Sequence, residues 1–257
     1  MTKRVTLDEV PRPGAIPAFD VPGWALEFGV VAGVTGRGTQ PGGFDLGLGS
    51  GQPVGEVLGR WGEVQAAFPE FRGIVVARQV HGTNVLWHDR NYGWAVFPGA
   101  DGHATASKGV LLTVSLADCI PIYMIDPVRG ALGLLHSGWR GTASGMLAAG
   151  IELLRRQVGT DPADLAVHIG VGICGTCYQV SAEVATVCGR PPTGGGGGAS
   201  QLDLRAVLAD RASEQGIGRV SVSSLCSAHS GRRFFSHRGS AGRDGRMVAF
   251  LGFPSLE

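Results

Sequence analysis

The sequence predicts a single α+β domain of mixed β-sheets with flanking helices. Three observations carry that prediction. The chain has 257 residues, 44% of them hydrophobic, which is enough for one sizeable core. Glycine is abundant, at 43 residues, and falls between short apolar runs, a composition that favours turns and short strands. A few segments instead carry apolar residues at helical spacing, and no internal repeat divides the chain.

The elements follow in order. Residues 1–20 are Pro-rich and read as an irregular N-terminal arm, leaving residues 21–257 as one domain. Leu26 to Val34 reads as a strand, Arg37 to Ser50 as a Gly-rich loop and Glu56 to Ala67 as a helix. Ile74 to Val80 is a strand that runs straight into His81. Val110 to Leu116 and Ile120 to Ile125 are apolar β-type runs on either side of Asp118-Cys119, and Ala131 to Leu135 is a strand ending at His136. Met146, Leu147, Ile151, Leu154 and Val158 give helical spacing to residues 142–158, with Thr142 or Ser144 as cap. Ala166 to Ile173 is a strand, and Ala182 to Val187 and Asp203 to Glu214 are helices. Val220 to Leu225 and Met247 to Leu251 complete the β content. Residues 191–198, two prolines and a threonine followed by five glycines, read as a flexible surface loop.

Composition narrows the function classes. A formal net charge of +1 provides no long-range field towards nucleic acid or an anionic membrane. The longest apolar run, Gly109 to Ile125, is broken by Asp118 and Pro121 and is too short to span a bilayer. The first residues lack an apolar signal segment, and five scattered cysteines suit reduced thiols better than a disulfide framework. The expectation is a cytoplasmic protein, a monomer or small homo-oligomer, with neither nucleic acid nor membrane as partner.

His81, Cys119 and His136 each follow an apolar strand and precede a Gly or Pro turn, where a rigid scaffold can present side chains to a pocket. Two imidazoles and one thiolate are the donors that an open catalytic zinc or copper site uses. The same residues admit a nucleophilic use, with Cys119 as thiolate, His136 as base and Asp118 or Gln79 as orienter. Arg37 and Arg140 sit in Gly-rich turns and are placed to grip phosphate or carboxylate. Asp118 is either an acid–base group or a support for a ligand histidine. Cys174-Gly-Thr-Cys177 lacks an evident second pair in Cys188 or Cys226, so it reads as two turn cysteines. Neither a phosphate loop nor the zinc deaminase signature is present.

Taken together, Gln79-Val-His81-Gly-Thr, Ala100-Asp101-Gly, Ala117-Asp118-Cys119-Ile-Pro121, His136-Ser-Gly-Trp-Arg140-Gly, Cys177-Tyr178-Gln-Val and Arg233-Phe-Phe-Ser236 resemble the laccase-domain family. That family is also called the polyphenol oxidase or purine nucleoside phosphorylase family, and the resemblance runs from about Phe28 to Phe250. It implies a cysteine-hydrolase-like α+β fold and a zinc ion on the residues matching His81, Cys119 and His136. It further implies phosphorolysis of adenosine, inosine, guanosine and methylthioadenosine to free base and ribose 1-phosphate, with adenosine deamination as a side activity. In that scheme Asp118 and Arg140 are catalytic, Arg37 binds substrate, and purine nucleosides and phosphate are the partners.

An older label for the family, copper-dependent polyphenol oxidation, sits poorly with a chain of seven histidines. A Cys-His thiol hydrolase and a non-catalytic purine-binding module are the further alternatives. The chain departs from the family pattern at His103, where a small residue is usual, and at His237, Thr176 and Asp45. His103 could add a ligand or a proton carrier.

Overall fold

Alternation along the central strands decides the architecture. Every residue of the strand Ile120–Asp126 is buried, with Ile122 and Met124 in one apolar cluster and Tyr123 and Ile125 in another. Leu111 and Leu112 of Val110–Leu116 divide in the same way. Successive side chains leave opposite faces of a strand, so both strands lie in sheets that are covered on both sides. The computed structural model describes residues 2–90, 93–193 and 198–255, and it contains two such sheets of seven strands each.

In the first sheet the strands lie in the order Lys3–Thr6, Arg219–Val222, Ala166–Ile169, Ile120–Asp126, Ala131–Ser137, Gly102–Thr105 and Val85–His88. In the second the order is Val10–Arg12, Ala18–Asp20, Val31–Thr35, Met247–Gly252, Val110–Leu116, Gly73–Arg78 and Trp94–Pro98. Both sheets mix parallel and antiparallel pairs. Their inner faces meet in a core built on Tyr123, Ile125, Leu132 and Leu134 from one side and Leu112, Val114, Ala249 and Leu251 from the other. The Tyr123 hydroxyl donates to the Gly33 carbonyl at 2.8 Å, a bond between the sheets.

Helices cover the outer faces. Val57, Trp61 and Val64 form the apolar stripe of the helix Val54–Ala67, which packs on the second sheet. Met146–Val158 and Leu204–Glu214 cover the first sheet. Asp203 caps the latter by accepting from the backbone N–H groups of Arg205 and Ala206. The result is a single-domain mixed α/β fold with two large sheets and few helices. Among the described residues no helix is long and apolar enough to cross a membrane.

Several elements differ from expectation. Residues 1–20 are not an irregular arm, because Lys3–Thr6 joins the edge of one sheet and Val10–Arg12 and Ala18–Asp20 form a hairpin on the other. These strands are three or four residues long and mostly exposed on their first two members, so they carry no alternation to read. The expected strand at 26–34 divides into a short helix, Trp24–Phe28, and the strand Val31–Thr35. The expected helix from Thr142 breaks at Gly145, whose φ of 90° caps the long helix without any side-chain bond. The strand predicted to reach Ile173 ends at Ile169. Three strands between residues 85 and 105 were not expected. Gly102–Thr105 is polar in sequence yet fully buried, because His103 Nδ1 meets His88 Nε2 at 2.8 Å. The glycines at 194–197, expected in a flexible loop, lie outside the described residues.

The N-terminal segment is anchored by a buried charge. The Glu9 carboxylate accepts from Val171 N at 2.8 Å and Ser223 Oγ at 2.6 Å, and it lies 3.2 Å from His168 Nε2. Burial alone would raise this carboxyl, but the bonds and charge of His168 and the Ser223 bond outweigh it and hold it below its ordinary 4.5. The stability it contributes is therefore present above about pH 4.5 and is lost as the pH falls through the depressed folded value. Glu9→Gln should cost about 2 kcal/mol at neutral pH, measured by urea unfolding. The difference from the unaltered protein should shrink as the pH falls below 4.5.

Candidate active site

Strand register brings the site together. Ile120 pairs with Ser137 and Pro121 with His136, so extending the ladder by one residue sets Cys119 opposite Gly138. A Cβ on Gly138 would stand 2.9 Å from Cys119 Sγ and 3.3 Å from His81 Cδ2. Only a glycine leaves both side chains room at this position. His81 arrives from the second sheet, three residues past the strand Gly73–Arg78. Its φ of 61° and the 87° of Asp118 are left-handed conformations that non-glycine residues rarely adopt, and such strain gathers at functional sites.

Asp101 holds this turn. Its carboxylate accepts from His81 N at 2.8 Å, Gly82 N at 2.7 Å and Val80 N at 3.2 Å, and also meets His136 Nδ1 at 3.0 Å. One carboxylate thus fixes the backbone of one histidine and the ring of the other. With Nδ1 engaged, His136 presents Nε2 to the site. A carboxylate behind an imidazole is the usual support of a metal-ligating histidine. In the sequence Asp101 stands in the Ala100-Asp101-Gly motif with no local sign of this role.

The donor atoms of His81, Cys119 and His136 lie within 4.8 Å of one another, and the two imidazole centroids are 4.9 Å apart. Burial pushes the Cys119 thiol up, yet the charge and hydrogen bond of His136, together with those of His81, bring it down to about 6 from 9.0. Burial would lower His136, but Cys119 and Asp101 raise it to about 9. The thiol is thereby poised as thiolate, the form that binds metals and attacks electrophiles. The donor set suits one ion of borderline softness such as zinc or copper.

It does not suit a multicopper centre. Among the described residues, His88 and His103 face each other and His168 is taken by Glu9 and Ser221. His103 is thus no extra ligand. Burial lowers it to about 3, which keeps it neutral.

The trio opens into a cavity of about 640 Å³, within the range of small-molecule sites. Tyr178, His237 and the guanidinium-bearing residues Arg78, Arg140, Arg238 and Arg246 also line it. Arg140 stacks on Trp139 at 4.3 Å and makes no ion pair among the described residues. Asp118 lines the cavity with its carboxylate filled. It accepts from Ser227 Oγ at 2.6 Å, Ser236 Oγ at 2.7 Å and Arg238 N at 2.6 Å. The orienter of His136 is therefore Asp101, not Asp118 or Gln79. Gln79 is engaged with the backbone of Ser115.

Arg37, expected at the substrate, lies outside the cavity. It pairs with Asp244 at 2.5 Å and stacks on Phe235. Its glycine-rich context was legible, but the acid that neutralises it is 207 residues away in sequence. Cys174 and Cys177 do not join the trio and form a cluster of their own with Cys226 and His229.

Fold and site together define a single-domain protein with, among the described residues, a Cys-His-His cluster on the wall of a cavity sized for a small molecule. The chain belongs to the multi-copper polyphenol oxidoreductase laccase family, whose model matches residues 33–254. It is 35% identical over 252 residues to a protein of Geobacillus stearothermophilus named purine nucleoside phosphorylase YlmD, a match covering 87% of this chain and 90% of that one. A Deinococcus radiodurans protein named purine nucleoside phosphorylase is 33% identical over 183 residues, covering 70% of each chain. The crystal structure of Geobacillus stearothermophilus YlmD superposes with a TM-score of 0.86 at 29% identity, covering 96% of this chain and 100% of that one. That of Bacillus licheniformis YfiH gives 0.84 at 28%, covering 94% and 98%.

Proposed function

We propose that the protein is a zinc-dependent purine nucleoside phosphorylase acting on adenosine, inosine, guanosine and methylthioadenosine. The observation that carries this reading is the Cys119, His81 and His136 cluster sharing one cavity with the Arg140 guanidinium, which makes no ion pair among the described residues. The relatives named purine nucleoside phosphorylase support the substrate class. In the reaction a phosphate oxygen bonds to the sugar C1′ as the C1′–N9 bond breaks, and the base leaves with the bonding pair and takes a proton. His81, Cys119 and His136 would hold the ion, which supplies a Lewis-acid site for anionic oxygen. Copper is the alternative occupant of the same donors.

The remaining roles belong to side chains. Arg140, stacked on Trp139 and in no ion pair among the described residues, offers its planar fork to phosphate. Asp118, with three donors on its carboxylate, positions the Cys119 turn and the cavity wall rather than moving a proton. Arg140→Ala should raise the KM for phosphate roughly 10- to 100-fold, the value of a charge-assisted bond, with a smaller change for nucleoside. Initial rates at varied phosphate measure it.

A second reading has its own observation. Asp101, His136 and Cys119 line up as orienter, base and nucleophile, the arrangement of a thiol hydrolase, and a cysteine-hydrolase-like fold would agree with it. Chromatography of purified protein with adenosine and inosine, with and without phosphate, separates the readings. Phosphate-dependent release of base with ribose 1-phosphate is expected. Base or inosine formed equally without phosphate would reject phosphorolysis, inosine pointing to the deamination that rests on family resemblance alone. Thermal stabilisation by nucleoside without turnover would leave a binding module.

A further inference from the structure

The geometry points to a second metal site, a closed structural zinc site formed by Cys174, Cys177, Cys226 and His229. Their ligand atoms all lie within 4.8 Å of one another. His229 Nδ1 is 3.1 Å from Cys177 Sγ and 3.8 Å from Cys174 Sγ. Tetrahedral zinc with Zn–S near 2.3 Å and Zn–N near 2.0 Å sets its ligand atoms about 3.5–3.8 Å apart, so small adjustments seat the ion. The sequence supplies two pairs of equal spacing, Cys174-x-x-Cys177 and Cys226-x-x-His229, each presented by its own turn. The second pair mixes cysteine with histidine, so a search for paired cysteines passes over it.

Two further features belong to metal–thiolate turns. The backbone N–H of Cys174 donates to Cys226 Sγ at 3.3 Å, a bond from one knuckle to the sulfur of the other. All five cysteines are free thiols, and the buried Cys226 is held beside the first knuckle by its bridge to Gly172. On binding, the three thiols release their protons to solvent and His229 coordinates as neutral imidazole. Four protein ligands leave no open position, which separates this site from a catalytic one.

The site would brace the cavity from behind. The first knuckle leads directly into Tyr178; the second contains Ser227 and runs on to Ser236 and Arg238, the three groups that bind Asp118. A metal joining the knuckles therefore locks together the two segments behind Asp118 and Cys119.

Metal counting by mass spectrometry on the purified full chain tests this independently of the active-site trio. Wild type should carry two equivalents of zinc, and Cys119→Ala one. The double variant Cys177→Ser/His229→Ala should also carry one and melt at lower temperature. His229→Cys, which keeps four donors, should restore the second equivalent and the melting temperature. A count unchanged by the Cys177→Ser/His229→Ala pair would overturn the site. So would a disulfide among the three cysteines in protein purified under reducing conditions. One equivalent that survives Cys119→Ala but vanishes with the knuckle variant would uphold this site and remove the zinc from the trio.

Discussion

Cys119→Ala is expected to leave a folded protein that holds no metal at the trio and releases base from nucleosides about a thousandfold more slowly. The removed thiolate is the sole anionic donor among His81, Cys119 and His136. Two imidazoles alone hold a divalent ion far more weakly, and a lost Lewis acid costs several kcal/mol in the transition state, or about three powers of ten in rate. The fold should survive, because Cys119 is only half-buried and alanine occupies less space against Gly138. Single-turnover rates and metal analysis on the same sample measure both effects. Undiminished phosphorolysis in this variant would sink the proposed mechanism.

Asp101→Ala should damage both fold and site. It leaves the N–H groups of Val80, His81 and Gly82 without their acceptor and frees the His136 ring. Removing one member of such a buried network costs about 3–5 kcal/mol, which urea unfolding detects. Metal affinity should fall at least about 10- to 100-fold, the usual effect of losing the group behind a ligand histidine. Burial would raise the Asp101 carboxyl, but bonds from His136 and Gly82 hold it below 3.8. Its contribution is thus present above that value and lost as the pH falls further. Asp101→Asn, able to accept some of these bonds, should recover part of the stability but little of the affinity.

The two variants also mark what could be read in the sequence. His81, Cys119 and His136 were legible because each ends an apolar run at a turn, and the outline of both sheets followed from such runs. Asp101 was not, because its partners are backbone groups that converge only when two sheets pack. The polar strand Gly102–Thr105 hid for a related reason, since the Nδ1 of its histidine meets another histidine fifteen residues away. The short strands of the first twenty residues gain their place from Glu9, whose acceptor role depends on residues more than 150 positions distant. Arg37 shows the reverse error. Its loop looked suited to an anion, and Asp244 already supplies one.

The most direct measurement follows base release from inosine in phosphate buffer while the metal content of the protein is lowered by chelation and then restored. The account predicts that release falls in step with the metal lost from the trio and returns with added zinc. Sustained phosphate-dependent release by fully metal-free protein, abolished instead by thiol alkylation, would contradict it and leave Cys119 a nucleophile.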